Sequence, residues 1–203
     1  MIIYYVNDVP TDLADTIEKY VLSPDIPWSY TISTVSPEVV TNKNNVSDDF
    51  IVKDHEMMSH IIYSAGSSVE SKSYDVVKHL SDYLINYFEN NILYAKLRPL
   101  RIVAVMNLPR KTAEGTIQQP HTDINFPSES DEENYYSFLY YPINCDGDTY
   151  FFETRENYKN NLIAKSSPIK GTGVLFSPNM NHAGSLPVHS NRRIIINFLF
   201  EAL

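Results

Sequence analysis

Apolar and polar positions follow two different rhythms along the chain, and the change falls near Pro99. Ahead of it the pattern is mixed. Ile2–Val6 is a short apolar, β-rich run that predicts a strand. Leu13, Ile17, Tyr20 and Val21 then recur on one helical face, and Thr11-Asp12 offers an N-cap, so a helix is expected to about Leu22. Trp28–Val35 predicts a second strand, and the polar, Asn-rich Thr41–Asp49 a loop. The clearest helix spans Val69–Asn91. Val76, Val77, Leu80, Leu84, Tyr87 and Phe88 form a continuous stripe, with Lys78, Asp82 and Glu89 off it. Pro99 bars any helix from running further.

Beyond Pro99 the texture turns β-branched and aromatic. Arg101–Leu108, Tyr135–Ile143, Thr149–Glu153, Leu162–Lys165, Gly173–Phe176 and Arg193–Phe200 all predict strands. Turn clusters separate them: Asn144-Cys145-Asp146-Gly147, Ser167-Pro168, Gly171-Thr172-Gly173, Ser177-Pro178-Asn179 and Ser190-Asn191. Short strands at close spacing without helical patterns between them predict an antiparallel sandwich or barrel. The expected fold is α+β, mainly β, in a single domain: residues 1–98 as mixed helical and strand support, residues 99–203 as the β core. No repeat of about 20–50 residues is visible, which argues against solenoids and propellers.

Composition narrows the partners. The 203 residues are 43% hydrophobic and 20% charged, a globular balance. Sixteen basic against 25 acidic residues give a net charge of −9, which disfavours a nucleic-acid backbone as partner, although a local basic groove stays open. No stretch approaches ~18 uncharged apolar residues, and the start lacks a basic signal-peptide region, so a cytoplasmic protein away from the membrane is expected. Cys145 is the single cysteine, which excludes an intrachain disulfide and a cysteine-based metal cluster.

Candidate chemistry begins at His121-Thr122-Asp123. In extended backbone, residues two apart point to the same side, so an imidazole and a carboxylate could meet one cation. The triplet alone is weak, and a solvated loop pair would read the same way. A metal open to substrate needs a further ligand, and two His plus one carboxylate form the facial set of non-haem Fe(II) oxygenases. His182, after the Ser177-Pro178-Asn179 turn, is the candidate third ligand; a polar loop histidine is the plainer alternative. On the apolar strand opened by Arg193, the period of two puts Arg193, Ile195, Asn197 and Leu199 on one face and Ile194, Ile196, Phe198 and Phe200 on the other. A buried Arg and Asn demand partners, and a dicarboxylate would supply them bidentately. An internal ion pair would do so too, and Arg192, on the opposite face, is the rival.

Taken in order, these pieces resemble the 2-oxoglutarate- and Fe(II)-dependent dioxygenases, in particular the prolyl 4-hydroxylase-like branch. They are His121-Thr122-Asp123, Phe138–Asn144, Asp146–Phe151, Leu175–His182 and Leu186–Arg193, covering about half the chain. The resemblance implies a double-stranded β-helix (a cupin-like jelly roll) with N-terminal supporting helices. It implies Fe(II) on His121, Asp123 and His182, with no catalytic residue beyond these ligands. It further implies 2-oxoglutarate and O2 as cosubstrates, with Arg193 on the far carboxylate, aided by Tyr141 and Asn197. Where the family places a tyrosine facing the cosubstrate, Asn107 occupies the nearest position. The implied reaction is hydroxylation of a peptidyl or free amino-acid residue, or of a small molecule, with succinate and CO2 as co-products. Asp146-Gly147-Asp148 replaces the family's double glycine, and Asn191 stands where glycine is common.

Other features carry less. His55-Glu56-Met57-Met58-Ser59-His60 spaces its histidines five apart, one too many for a zinc-protease helix. Gly171-Thr172-Gly173 precedes a strand and reads as a turn, Cys145 lacks a neighbouring base, and His189 reads as surface. Specificity is expected in the loops Pro109–Gln119, Asn125–Asn134 and Arg155–Asn160. The acidic cluster Glu129, Asp131, Glu132 and Glu133 is either a solvated loop or a site for positively charged substrate. A non-catalytic, cupin-like binding module and an oxygenase acting on nucleic acid are the remaining alternatives.

Overall fold

The structure is a computed structural model that describes residues 3–32, 51–52, 55–66, 69–111, 114–124, 134–153 and 162–203. In chain order the elements are β1 (Ile3–Val6), α1 (Thr11–Val21), β2 (Ser29–Thr31), β3 (Ile51–Val52), β4 (Met57–Ser64), β5 (Val69–Glu70), α2 (Tyr74–Asn91), β6 (Leu97–Asn107), β7 (Thr116–Ile117), β8 (Tyr135–Tyr141), β9 (Thr149–Phe152), β10 (Leu162–Ser166), β11 (Thr172–Phe176), β12 (Asn181–Gly184) and β13 (Arg193–Ala202). A large antiparallel sheet runs β1-β11-β8-β13-β6-β4-β2, with β5 paired to β4. A smaller sheet runs β10-β9-β12, and β3 pairs with β7. No helix among the described residues is long and apolar enough to cross a membrane.

The period of two decides what each face of the large sheet does. Ile194, Ile196, Phe198 and Phe200 of β13 join Ile102, Ala104 and Met106 of β6 in one apolar cluster. The same cluster takes in Ala14, Ile17 and Val21 of α1 and Val77, Leu80, Leu84 and Phe88 of α2. The helices therefore brace the outside of the large sheet. The opposite face looks toward the smaller sheet, where Leu139, Tyr141, Val174, Phe176 and Ile195 pack with Phe151 and Met180.

On that inner face the ladder sets side chains in rows. Antiparallel register pairs Arg193 with Asn107, Ile195 with Val105, Asn197 with Val103 and Leu199 with Arg101. On the other flank of β13, Asn197 pairs with Leu139 and Leu199 with Ser137. Directly paired residues share a face, so Arg193 and Asn107 form one end row, while Arg101, Leu199 and Ser137 form another about 20 Å away at strand rise.

Several boundaries differ from the sequence expectation, each for a local reason. The helix expected over Val69–Asn91 starts at Tyr74. Val69 and Glu70 instead pair back on Ser64 and Tyr63, and the Ser71 N–H donates to Ile62 O, so the hairpin claims the residues ahead of the helix. Thr11 is the first helical residue of α1, after Pro10, rather than its N-cap. The strand expected over Trp28–Val35 is Ser29–Thr31 within the described residues. β6 begins at Leu97 and runs through Pro99, which pairs with Phe200 beside a bulge at Leu199/Phe200. The β4 pairing to β6 ends at Arg101, so Pro99 has no neighbour on that side that needs its missing N–H. The Thr41–Asp49 loop and the acidic cluster Glu129, Asp131, Glu132 and Glu133 lie outside the described residues, as do 155–160 and parts of the other two specificity loops.

On β11, Gly173 pairs with Tyr140 of β8. A Cβ there would lie 2.3 Å from the Phe138 ring and 2.5 Å from Leu139 O. Backbone cannot yield as a flexible side chain does, so Gly173→Ala is expected to destabilise the fold by about 1–3 kcal/mol. Gly66, with nothing within 4 Å of its added Cβ, is the control, expected within about 0.5 kcal/mol of the parent. Urea unfolding of both variants measures the difference, and equal stabilities would contradict the packing at Gly173.

Candidate metal centre

β12 places His182 beside Phe151 of β9, and the segment carrying His121 pairs against it. The His121 N–H donates to His182 O at 3.0 Å, and the His182 N–H returns the bond to His121 O at 2.9 Å. Residues opposite one another in such a bridge present side chains on one face, and the two imidazole centroids are 4.6 Å apart. The Asp123 N–H is tied to Pro178 O at 2.8 Å. One ligand atom each from His121, Asp123 and His182 thus falls within 4.8 Å of the others.

Hydrogen bonds prepare the donor set. The Nδ1 atoms of His121 and His182 lie 3.1 and 3.0 Å from Gln119 O and Met180 O. A carbonyl only accepts, so each Nδ1 carries the proton and each Nε2 keeps its lone pair. His182 Nε2 lies 4.0 Å from Asp123 Oδ1. The Ser137 hydroxyl donates to Asp123 Oδ2 at 2.6 Å and Asn197 Nδ2 to Oδ1 at 2.8 Å. Arg101 stands 3.8 Å from Oδ1. Burial pushes the Asp123 carboxyl upward, but the imidazoles of His182 and His121, the Ser137 bond and Arg101 outweigh it and hold the group below the usual carboxylate range.

Arg193 lies at the other end of the cleft, 2% exposed. Its Nε donates to Gly147 O and its Nη2 to Thr149 Oγ1, both at 2.8 Å. No carboxylate reaches salt-bridge distance of it among the described residues. The same Thr149 oxygen accepts from the Tyr141 hydroxyl at 3.0 Å. Burial raises Tyr141 above the usual tyrosine range, opposed by Arg193, and burial lowers Arg193. Two glycines make room for the guanidinium. A Cβ on Gly184 would come 3.0 Å from Nη1, and one on Gly147 would come 2.8 Å from Cδ.

The candidates expected from sequence therefore separate into two groups. His121, Asp123 and His182 come together, and Arg193 joins Tyr141. Asn107 is fully buried beside Arg193 in register, with neither of its side-chain polar atoms hydrogen-bonded. Asn197 shares the Arg193 face as expected, but its Nδ2 donates to Asp123 and its buried Oδ1 has no hydrogen-bond partner among the described residues; four residues along the strand, about 13 Å, separate it from Arg193. Arg192, the rival, lies just ahead of β13 and is partly exposed, whereas Arg193 is buried. His60 lies on β4, where its Nε2 meets the Ser71 and Ser73 hydroxyls at 2.9 and 3.0 Å, and His189 is exposed.

Sequence reading missed Thr149, Ser137, Arg101 and Gln118. Gln118 donates its backbone N–H to Gly184 O, and its buried Nε2 has no partner. Orphaned buried amides are costly, and those of Asn107 and Gln118 fit a cleft built to receive a polar ligand. Ser137 and Arg101 become legible only through register, since both share the inner face with Leu199.

No family model and no curated protein matches the chain by sequence. The likeness lies in the fold. It superposes on the non-haem α-ketoglutarate-dependent epimerase SnoN of nogalamycin biosynthesis with a TM-score of 0.64 at 11% identity, covering 98% of this chain and 78% of that one. HygX from Streptomyces hygroscopicus, solved with nickel and 2-oxoglutarate bound, gives 0.60 at 9% identity, with coverages of 98% and 82%. A prolyl-4-hydroxylase from Pseudomonas putida gives 0.59 at 12% identity, with coverages of 99% and 92%. The fold is thus the double-stranded β-helix of the 2-oxoglutarate- and Fe(II)-dependent oxygenases, prolyl hydroxylases included.

The loop beside Arg193 depends on Asp146, whose carboxylate accepts N–H bonds from Val188, His189 and Ser190 at 3.0, 2.8 and 3.0 Å. Burial alone would raise this carboxyl, but the backbone and Ser190 bonds hold it well below its ordinary value. A depressed folded pKa stabilises fully above the unfolded value of about 3.9 and is lost as pH falls below it. Stability measured between roughly pH 5 and 3 should therefore drop more steeply in the parent than in Asp146→Asn; parallel slopes would contradict this role.

Proposed function

We propose that the chain is an Fe(II)- and 2-oxoglutarate-dependent oxygenase that hydroxylates a peptidyl or free amino-acid residue. The observation that carries the reading is the pairing of an open His121–Asp123–His182 donor set with a buried Arg193 that has no carboxylate partner among the described residues. Two imidazoles and one carboxylate leave coordination positions vacant for a chelating oxo acid and dioxygen. A purely structural site would use them up.

His121 and His182 would hold the metal through Nε2, their Nδ1 protons anchored on Gln119 O and Met180 O. Asp123 would be the anionic ligand, and Ser137 and Asn197 fix its carboxylate plane. Arg193 would take the far carboxylate of the cosubstrate, with Thr149 and Tyr141 lending hydroxyls and Asn107 its amide. Leu139, Ile195, Phe151 and Phe176 belong to the apolar cluster of this inner face and would help to exclude water. With metal and cosubstrate bound, the chemistry supplied is that of 2-oxoglutarate plus O2 plus R–H giving succinate, CO2 and R–OH. The chain's own part is to orient these groups and exclude solvent.

Succinate released from 2-oxoglutarate by the purified protein should require Fe(II). His121→Ala, Asp123→Ala and His182→Ala should each reduce it to background while circular dichroism stays that of the parent. Arg193→Ala should raise the 2-oxoglutarate concentration needed on the order of 30-fold or more, because a buried charged contact is truncated. Arg192→Ala should shift it by less than about twofold, as a partly exposed charge ahead of the strand does. No Fe(II)-dependent succinate would favour a binding module, and equal arginine effects would remove Arg193 from the site.

A further inference from the structure

Two arginines face the cleft, and they differ in exposure and in what occupies them. Arg193 is buried at the closed end, with two of its five N–H donors on Gly147 O and Thr149 Oγ1. Arg101 lies in the opposite end row with Ser137 and Leu199, and its side chain is 39% exposed. Its one ionic contact among the described residues is to Asp123 Oδ1 at 3.8 Å. That is beyond hydrogen-bond reach, and both Asp123 oxygens already accept closer bonds from Ser137 and Asn197. The guanidinium fork of Arg101 thus sits beside the metal donor set, partly open to solvent, with its N–H donors uncommitted among the described residues.

We propose that Arg101 is the substrate anchor, and that the substrate presents a carboxylate to it. This rests on the oxygenase reading above and names the substrate class of that same site. A guanidinium recognises a carboxylate through two parallel charge-assisted bonds, which fixes orientation as well as position. The reacting carbon then stands at the metal while the substrate anion is held at the open end, as the cosubstrate anion is held at the closed end. The net charge of −9 does not oppose this, because the field beyond about 8 Å is screened at physiological salt. A free amino acid and a peptide bearing an acidic side chain share the required chemistry.

The test uses the full chain loaded with Fe(II) and 2-oxoglutarate, without dioxygen, in a titration calorimeter. The probes are L-proline and L-leucine against their carboxamides, and end-blocked Pro-containing tetrapeptides with Glu against the same peptides with Gln. One carboxylate member should bind at least about tenfold tighter than its neutral partner, the share expected of a charge-assisted contact. Which pair shows the preference separates free amino acid from acidic peptide. Arg101→Gln should bring that ratio below about twofold, and Arg101→Lys, which keeps charge without the fork, should retain part of it. A ratio near one in the parent, a ratio untouched by Arg101→Gln, or no binding by any probe would overturn the proposal. If Arg101→Gln fails to fold, a parent-like ratio in Arg101→Lys would overturn the fork, and an intermediate ratio would support it. Loading itself is measured first: failure to take up Fe(II) and 2-oxoglutarate would count against the oxygenase reading instead.

Discussion

The site depends on two backbone hydrogen bonds exchanged between His121 and His182. They join residues 61 positions apart and put two imidazoles, tilted by 49°, on the same side of one rung. β12 pairs in turn with β9, and His182 packs on Phe151 and Phe176. Asp123 follows two residues after His121 and is tied down by Pro178 O. Cross-sheet geometry therefore assembles the donor set, and side-chain hydrogen bonds only refine it.

A second constraint is the burial of Arg193. Taking a guanidinium out of water without a counter-ion is expensive. Among the described residues the fold meets it with two hydrogen bonds to neutral oxygens and two glycines that give it room, since a Cβ at 147 would meet Ser185 O at 2.8 Å and one at 184 would press on the guanidinium at 3.0 Å. The Asp146 carboxylate organises the turn that leads into β13. Such an arrangement stores an unmet electrostatic demand, which a diacid of the right length would satisfy. The same principle, reversed in exposure, distinguishes Arg101 at the open end.

Much of this was legible in the sequence, because strand parity is a strict code. The alternation in Arg193–Phe200 separated the helix-facing Ile194, Ile196, Phe198 and Phe200 from the cleft-facing Arg193, Ile195 and Asn197, and the structure keeps that division. The stripe of α2 was equally plain, apart from its first turn, which the hairpin pairing of β5 with β4 removed. What stayed hidden was register. No local pattern announces that Leu199 pairs with both Ser137 and Arg101, or that Asn197 meets Asp123 rather than Arg193. Strand β12 was also invisible: Asn-His-Ala-Gly has no β signature, and it becomes a strand because β9 and the His121 segment flank it.

The central claim is that one cleft holds a metal at His121, Asp123 and His182 and a diacid reaching from that metal to Arg193. A crystal structure of the protein grown without dioxygen in Fe(II) and 2-oxoglutarate tests it most directly. An anomalous iron peak among those three side chains, with the diacid's far carboxylate on Arg193, is the predicted result. Iron bound elsewhere, or a diacid that leaves Arg193 without a carboxylate, would contradict the account.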